Sequence, residues 1–172
     1  MTKVFTINIL RWIAVLFLQV FLLNQINLHN TINPFIYILF IILLPLNIPI
    51  WALMVLGFLT GLSVDIFSNT LGLHAAATTL MAYLRPFVLR IVTPRGGYEH
   101  EPLPGIKNMG FRWFVTYTTI LTLIHHIALF YLEVFRLNEF FFTFSRVLFS
   151  SIFTIVIILI SQYLFLPVKR KK

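Results

Sequence analysis

The chain has 172 residues, of which 59% are hydrophobic and only 10% are charged, and its mean hydropathy is +0.94. A soluble domain carries roughly a quarter charged residues, so this composition excludes a water-exposed globular protein and indicates a chain surrounded largely by lipid. The absence of cysteine excludes disulfides, thiolate metal sites and a cysteine nucleophile. A net charge of +8 would suggest nucleic acid binding in a soluble protein. Here we interpret it as a signal of membrane orientation and predict no nucleic acid partner.

The first predicted membrane span covers about 8–23. A spanning helix needs about 20 mostly apolar residues, because the hydrocarbon core of a bilayer is about 30 Å thick. A signal peptide is the alternative, with Lys3 and Arg11 as its charged end. Polar residues follow at 24–27 without a small-residue cleavage site, and more hydrophobic segments come after them, so we predict an uncleaved span.

The hydrophobic stretch 32–67 is too long for one helix and is interrupted by Pro45 and Pro49. Proline removes a backbone donor and disfavours helix at the residue before it, so we expect a turn between two helices here. The sequence therefore predicts a single all-α transmembrane domain, 1–172, built as a bundle of about six helices. The predicted spans are about 8–23, 34–44, 50–67, 71–89, 111–132 and 147–166.

The distribution of basic residues tests the number of spans, because Lys and Arg in short loops collect on the cytoplasmic side. With six spans, eleven of the 13 basic residues lie on one side, together with both termini. These are Lys3, Arg11, Arg85, Arg90, Arg95, Lys107, Arg112 and Lys169–Lys172. The other side keeps Arg136 and Arg146. Five spans would break this separation, whereas four would keep it if the stretch 32–67 enters and leaves the membrane on the same side.

Asp65 is the one acidic residue inside a predicted hydrophobic span. A carboxylate at the bilayer centre costs at least about 2.5–3.5 kcal/mol, so such residues usually face the protein interior and often mark function. We favour a structural role, in which Asp65 orders the turn at 68–70 by accepting hydrogen bonds from free backbone donors of the next helix. Proton transfer or ion binding is the alternative. The structural role predicts that Asp65→Asn is tolerated and that Asp65→Leu impairs function.

Two glycines precede Asp65 on the same face of the third predicted span. Gly57 and Gly61 are four residues apart, and Asp65 lies four residues further on. Small residues at this spacing let two membrane helices approach closely. We favour close packing within the chain, and docking of a partner's helix is the alternative.

The histidines and arginines of the spans form no recognisable catalytic or metal site. His125 and His126 are adjacent, and adjacent helical residues diverge by about 100°, so we predict polar packing for them and for His74. Arg85 and Arg90 are expected to extend to lipid phosphates. The sequence lacks the common catalytic motifs, so we predict that the chain is not an enzyme and has no catalytic, cofactor-binding or metal-binding residues.

The segment 57–74 reads GFLTGLSVDIFSNTLGLH. It resembles the most recognisable part of the rod shape-determining protein MreD family, in which a glycine-containing helix leads to an aspartate, a short turn, Leu-Gly and another helix. The matching positions are Asp65, Leu71 and Gly72, together with Gly61. The length, the six-span plan and the short basic tail also resemble that family along the whole chain.

This resemblance implies a non-enzymatic scaffold of the bacterial cell-elongation machinery, placed in the cytoplasmic (inner) membrane with both termini in the cytoplasm. It implies MreC as the membrane partner, besides lipid. MreB, a RodA-type glycosyltransferase and a class B penicillin-binding protein are implied as indirect partners, and no cofactor is implied. The family is also similar in fold to the substrate-binding membrane components of energy-coupling-factor transporters.

A small-molecule transporter component is the alternative function that the sequence leaves open. Such a protein should contain a polar cavity at membrane depth, often lined by broken helices. The polar residues that could contribute are scattered along the chain and form no charged pair in the sequence. They are Asn47, Asp65, His125, His126 and Gln162. A membrane enzyme acting on lipid-linked substrates is a third interpretation, and it lacks a catalytic pair.

Overall fold

A computed structural model describes residues 2–25, 32–98, 103–134 and 140–164, with side chains described from position 6 onward. The described chain is built from helices joined by turns. The α-helices are α1 (Thr2–Phe21), α2 (Leu39–Ile42), α3 (Ile50–Ser68), α4 (Leu73–Ile91), α5 (Ile106–Met109), α6 (Phe111–Val134) and α7 (Phe140–Leu164). Short 3-10 helices occur at Leu23–Gln25 and Ile36–Ile38. The predicted basic tail Lys169–Lys172, the residues Arg136 and Glu139, and the last two positions of the sixth predicted span lie outside the described residues.

Four helices of the described chain are long and apolar enough to cross a membrane, so the protein is a helical membrane protein. They cover Thr6–Gln25, Ile50–Ser68, Phe111–Val134 and Phe140–Leu164. The last of these begins seven residues before the predicted start of the sixth span. Arg146 therefore lies inside a helix, where its guanidinium packs 4.7 Å from the centre of the Phe130 ring.

Helix α4 is as long as α3 and packs beside it in the opposite direction. Position 61 of α3 adjoins position 74 of α4, whereas position 57 adjoins positions 78 and 82. Nearly half of the residues of α4 are buried, and three of them are polar or charged: His74, Thr78 and Arg85. These buried polar residues explain why α4 is less apolar than α3. Pro86 lies inside α4 without ending it, since the helix continues to Ile91.

The second predicted span differs most from the structure. Instead of a continuous helix over 34–44, only residues 36–42 are helical, and they divide into a 3-10 turn and a single turn of α-helix. Seven such residues rise only about 12 Å, which is far less than a bilayer core. Pro34 and Pro45 lie on either side of this helical part, and each disfavours helix at the residue before it.

We call residues 32–44 the central segment, because every residue from Pro34 to Leu44 is buried by the surrounding helices. It begins beside Gln19 near the end of α1 and finishes beside Arg11, so it runs antiparallel to α1. Irregular backbone is tolerated at membrane depth only where protein covers it or where it lines an aqueous cavity. Its burial at the centre of the bundle satisfies that condition.

Candidate functional site

The first residues of the central segment obtain their hydrogen bonds from α7. The backbone N–H of Asn33 donates to Ser150 Oγ at 3.1 Å, and the N–H of Phe35 donates to Thr154 Oγ1 at 3.0 Å. These residues precede the helical part and therefore have no intrahelical partner. Two hydroxyls four residues apart on one face of α7 thus replace the hydrogen bonds of a regular helix.

A side-chain amide from α1 completes this end of the segment. Gln19 is buried, and its Nε2 donates to the carbonyl of Pro34 at 3.0 Å. Its Oε1 accepts from the backbone N–H of Tyr37 at 3.4 Å. An amide carries both donors and an acceptor, so one side chain satisfies backbone groups of both kinds. Nothing in the sequence pattern of α1 predicts this pairing, because the partners come from a segment expected to be helical.

The opposite end of the central segment is held by Arg85. This side chain is completely buried, with Nη2 donating to the carbonyl of Leu44 and Nη1 donating to that of Pro45 at 3.3 Å. Its Nε donates to the hydroxyl of Tyr117 at 2.7 Å, and that hydroxyl donates to the carbonyl of Ile42 at 3.1 Å. These are the carbonyls that a helix ending before proline leaves without partners.

The prediction that Arg85 extends to lipid phosphates is therefore wrong. The described chain places no carboxylate within ion-pair distance of it, and its charge is stabilised by carbonyl and hydroxyl dipoles instead. Arg11 makes a similar but partly exposed contact, since its Nη1 donates to the carbonyl of Leu43 at 3.3 Å. Arg90, in contrast, is exposed, as expected for a residue that reaches the membrane surface.

Asp65 caps the N-terminus of α4 from the neighbouring helix. Its Oδ1 accepts from the backbone N–H of His74 at 3.1 Å, and its Oδ2 accepts from that of Ala75 at 2.8 Å. The hydroxyl of Thr70 and the Nδ1 of His74 also bond to Oδ1, the latter at 3.0 Å. Gly72 occupies the N-cap position without a side chain, so the carboxylate of α3 supplies what a local cap would provide. These are the contacts that the turn-ordering interpretation requires.

The two glycines of α3 are used within the chain. A Cβ atom added at Gly61 would lie 2.5 Å from the Cα of Ala75, and one at Gly57 would lie 2.9 Å from the Cβ of Ala82. Real side chains do not approach so closely, so glycine at these positions sets the distance between α3 and α4. This face is consequently occupied by α4 and is not available to another protein.

The turn between α3 and α4 contains the remaining two residues of the family-like motif. The chain leaves α3 through Asn69 at φ 54° and enters α4 through Gly72 at φ 84°. Asparagine and glycine are the residues that adopt this left-handed conformation most readily. Leu71 lies between them and is fully exposed, with no packing role in the described chain.

The polar packing predicted for the adjacent histidines is confirmed, and it takes the form of a buried network whose partners the sequence did not indicate. His125 and His126 are completely buried on α6. The Nε2 of His125 lies 2.6 Å from the hydroxyl of Tyr37, and the Nε2 of His126 lies 3.2 Å from Thr154 Oγ1. The described residues contain no group of three His, Cys, Asp or Glu side chains suited to a metal ion. The network therefore ties α6 to α7 and to the central segment.

The proton on the His126 imidazole can be assigned from the groups that surround it. The carbonyl of Thr122 lies 2.9 Å from Nδ1 of His126 and can only accept, so that nitrogen carries the proton. The Nε2 of His126 then accepts from the hydroxyl of Thr154, whose oxygen in turn accepts from the N–H of Phe35. A single proton on the imidazole of His126 thus satisfies both Thr122 and Thr154, which is the arrangement of a structural histidine.

A polar cleft of about 370 Å³ lies beside the first residues of the central segment. The ends of α1, α3 and α6 and the start of α4 border it, so it opens at the end of the bundle opposite Arg11 and Arg85. The polar side chains that line it include Gln19, Asn24, Asn33, Ser68, His74 and Glu133. Of the residues that the sequence suggested for a cavity, Asp65 lies behind His74, whereas His125 and His126 lie deeper in the bundle.

Comparisons of the chain with protein-family models, with curated proteins and with solved structures find no match. The functional interpretation therefore depends on the chemistry of the residues and on the resemblance of segment 57–74.

Proposed function

We propose that this protein is a non-enzymatic scaffold of the bacterial cell-elongation machinery, similar to the MreD family and placed in the cytoplasmic membrane. One observation supports the proposal: three motif residues together form the junction between α3 and α4. Gly61 allows α4 to approach, Asp65 caps α4, and Gly72 provides the left-handed turn between them. Three of the four matching residues thus have a physical reason to occur at their positions, and Leu71, which is fully exposed, is the exception.

The same proposal includes six membrane crossings and both termini in the cytoplasm. The four apolar helices account for four of them. We propose helix α4 as the fifth crossing, since it lies antiparallel along α3. We propose the whole central segment, with its non-helical ends, as the sixth, since it begins at the cleft and ends at Arg85. An even number of crossings keeps Arg11, Arg90 and Arg112 on one side, in agreement with the positive-inside rule.

The contact surface for a partner helix is the outer groove between α3 and α4, rather than the glycine face. This groove is apolar and combines Met54, Phe58 and Leu62 of α3 with Ala76 and Thr79 of α4. Small side chains on one wall let another helix approach closely in lipid, where packing drives association. We propose the membrane helix of MreC as its occupant.

An affinity purification from detergent-solubilised native membranes tests this function. The tagged wild-type chain should recover MreC together with the elongation synthases, as measured by mass spectrometry. Ala76→Trp fills the groove and should reduce that recovery, whereas Ala14→Trp on the exposed face of α1 is the matched control and should not. Equal recovery by both variants would contradict the proposed surface, and recovery without MreC would contradict the scaffold function.

The substrate-binding component of a small-molecule transporter remains the second candidate, because the structure contains the feature that it requires. The polar cleft lies beside irregular backbone at residues 33–35, and broken segments of this kind line the binding sites of many transporters. In the same purification, transporter ATPases and a coupling subunit would be recovered instead of MreC. That outcome would support the proposed similarity to energy-coupling-factor transporter components.

A further inference from the structure

The wall of the polar cleft contains a hydrogen-bond acceptor that nothing in the described chain uses. The imidazole of His74 lines the cleft, and its side chain is only 10% exposed. Its Nδ1 bonds to Asp65, and a carboxylate can only accept, so Nδ1 carries the proton. Nε2 is then a lone-pair acceptor, oriented by the carboxylate behind it. Among the described residues this nitrogen has no hydrogen-bond partner.

Glu133 gives the cleft a negative charge. It lies near the end of α6, and its side chain is 44% exposed. Its Oε2 is 3.4 Å from Nη2 of Arg146, which is longer than an ordinary charge-assisted hydrogen bond, so the partly exposed carboxylate can still accept hydrogen bonds from a solute in the cleft. No lysine or arginine occurs among the lining residues that the structure describes. Among the described residues, a solute in the cleft therefore meets a carboxylate and no cationic side chain, although the chain as a whole carries a charge of +8.

The size and the other walls of the cleft suit an organic molecule rather than a single ion. A volume of about 370 Å³ lies within the range of small-molecule sites and exceeds the space of one water molecule roughly tenfold. The rings of Phe35 and Phe67 contribute apolar surface, and the side-chain amides of Gln25 and Asn33 contribute further acceptors and donors. The described chain shows no hydrogen bond that occupies either amide.

We propose that this cleft binds a small organic cation, a solute whose ammonium group donates hydrogen bonds to His74 Nε2 and to the carboxylate of Glu133. Both named groups accept, and the described lining contains no lysine or arginine, so an ammonium group matches the cleft in hydrogen bonding and in charge. Anions of the same size meet the same two acceptors and should therefore bind more weakly. The inference depends on the geometry of the cleft alone and holds whether or not the chain is a scaffold.

Ligand series with one carbon skeleton and different end groups test the proposal directly. The purified full chain in detergent would be titrated with 1,4-diaminobutane, 1,4-butanediol and succinate, and in parallel with glucosamine, glucose and glucuronate. Binding would be measured by saturation-transfer NMR and by the rise in melting temperature. We expect the ammonium compound of at least one series to bind in the range of about 10 mM or tighter, ahead of its neutral and anionic relatives.

Three variants separate the binding contacts from folding. Glu133→Gln and Arg146→Gln break the same ion pair, but only Glu133→Gln should weaken ammonium binding, by about tenfold or more. His74→Asn keeps a donor near Asp65 and removes Nε2, so it should also weaken binding while the ligand-free melting temperature stays close to that of the wild type. Equal binding of the anions, no binding of either ammonium compound, or unchanged binding by Glu133→Gln would overturn the proposal. None of these outcomes affects the purification experiment, which tests the α3–α4 groove.

Discussion

The capping role of Asp65 predicts a graded loss of stability when its two oxygens are replaced one at a time. Oδ1 and Oδ2 each accept from a different backbone N–H of α4, those of His74 and Ala75. Asparagine retains one acceptor, but its amino group then faces the second backbone donor. The sequence predicts that Asp65→Asn is tolerated, whereas the structure predicts a loss of stability. Although asparagine conserves the shape of the side chain, one buried backbone N–H loses its acceptor.

The size of each loss follows from the number of donors left without a partner. One unsatisfied buried N–H costs roughly 1–3 kcal/mol, so Asp65→Asn should destabilise the protein by about that amount. Asp65→Leu leaves both backbone donors and the hydroxyl of Thr70 without this acceptor, so its cost should be about 3–6 kcal/mol. Lipid cannot replace these bonds at membrane depth.

Unfolding in mixed micelles, followed by helical circular dichroism, measures these differences. Ser63→Ala is the control, because that hydroxyl bonds only to the carbonyl of Leu59 in its own helix, and the variant should stay within about 0.5 kcal/mol of the wild type. The expected order of stability is wild type, Asp65→Asn and then Asp65→Leu. If Asp65→Leu were as stable as Asp65→Asn, the carboxylate would not be the cap of α4.

Three further substitutions test the packing and the central segment by the same unfolding assay. Gly61→Ala should cost about 1–3 kcal/mol, because its Cβ meets the backbone of α4, whereas Gly96→Ala in open space should be neutral. Arg85→Met should cost about 2–6 kcal/mol by leaving the carbonyls of Leu44 and Pro45 without donors, and a stability gain would refute that role. Tyr37→Phe should cost about 1–2 kcal/mol through loss of the pair with His125, and no change would contradict the network.

Hydropathy and helix-breaking residues predicted the long elements of the fold well. Four of the predicted spans correspond to apolar helices, and α4 lies within two residues of its predicted bounds at either end. These features depend on local composition, which a single sequence contains. The four-residue helix α5 lies between the predicted spans 71–89 and 111–132, where nearby Pro and Gly conceal one short turn of helix.

The central segment could not be predicted, because its conformation depends on side chains far away in the sequence. Hydropathy is the same for a buried helix and for a buried irregular segment, and only the prolines at its ends indicated a break. The groups that stabilise it are Gln19, Arg85 and Thr154, which are separated from it by up to about 119 positions. A charged residue such as Arg85 was therefore interpreted by its local position near a helix end, where extension to lipid is the usual outcome.

Asp65 shows the opposite case, in which sequence spacing was sufficient. Its distance from the turn at 68–70 placed it beside the free N–H groups of the next helix, and the structure has those contacts. The pairing with His74 adds one feature that spacing did not indicate, an imidazole whose second nitrogen lines a cleft. The spacing of Asp65 thus predicted the turn correctly, but it did not predict the polar cleft that this turn borders.

The internal use of polar groups limits where this protein can act on other molecules. Arg85, Gln19 and the histidine pair are all buried and hydrogen-bonded to the chain itself, so they stabilise the central segment instead of contacting other molecules. Many large apolar side chains are exposed on the described helices, and such surface suits association with another helix. The cleft is a place where polar groups without a partner among the described residues meet open space. The proposed scaffold function would therefore use the α3–α4 groove, and the proposed ligand binding would use the cleft. Because Asp65 orders the turn that borders both, its loss should weaken both proposed activities together.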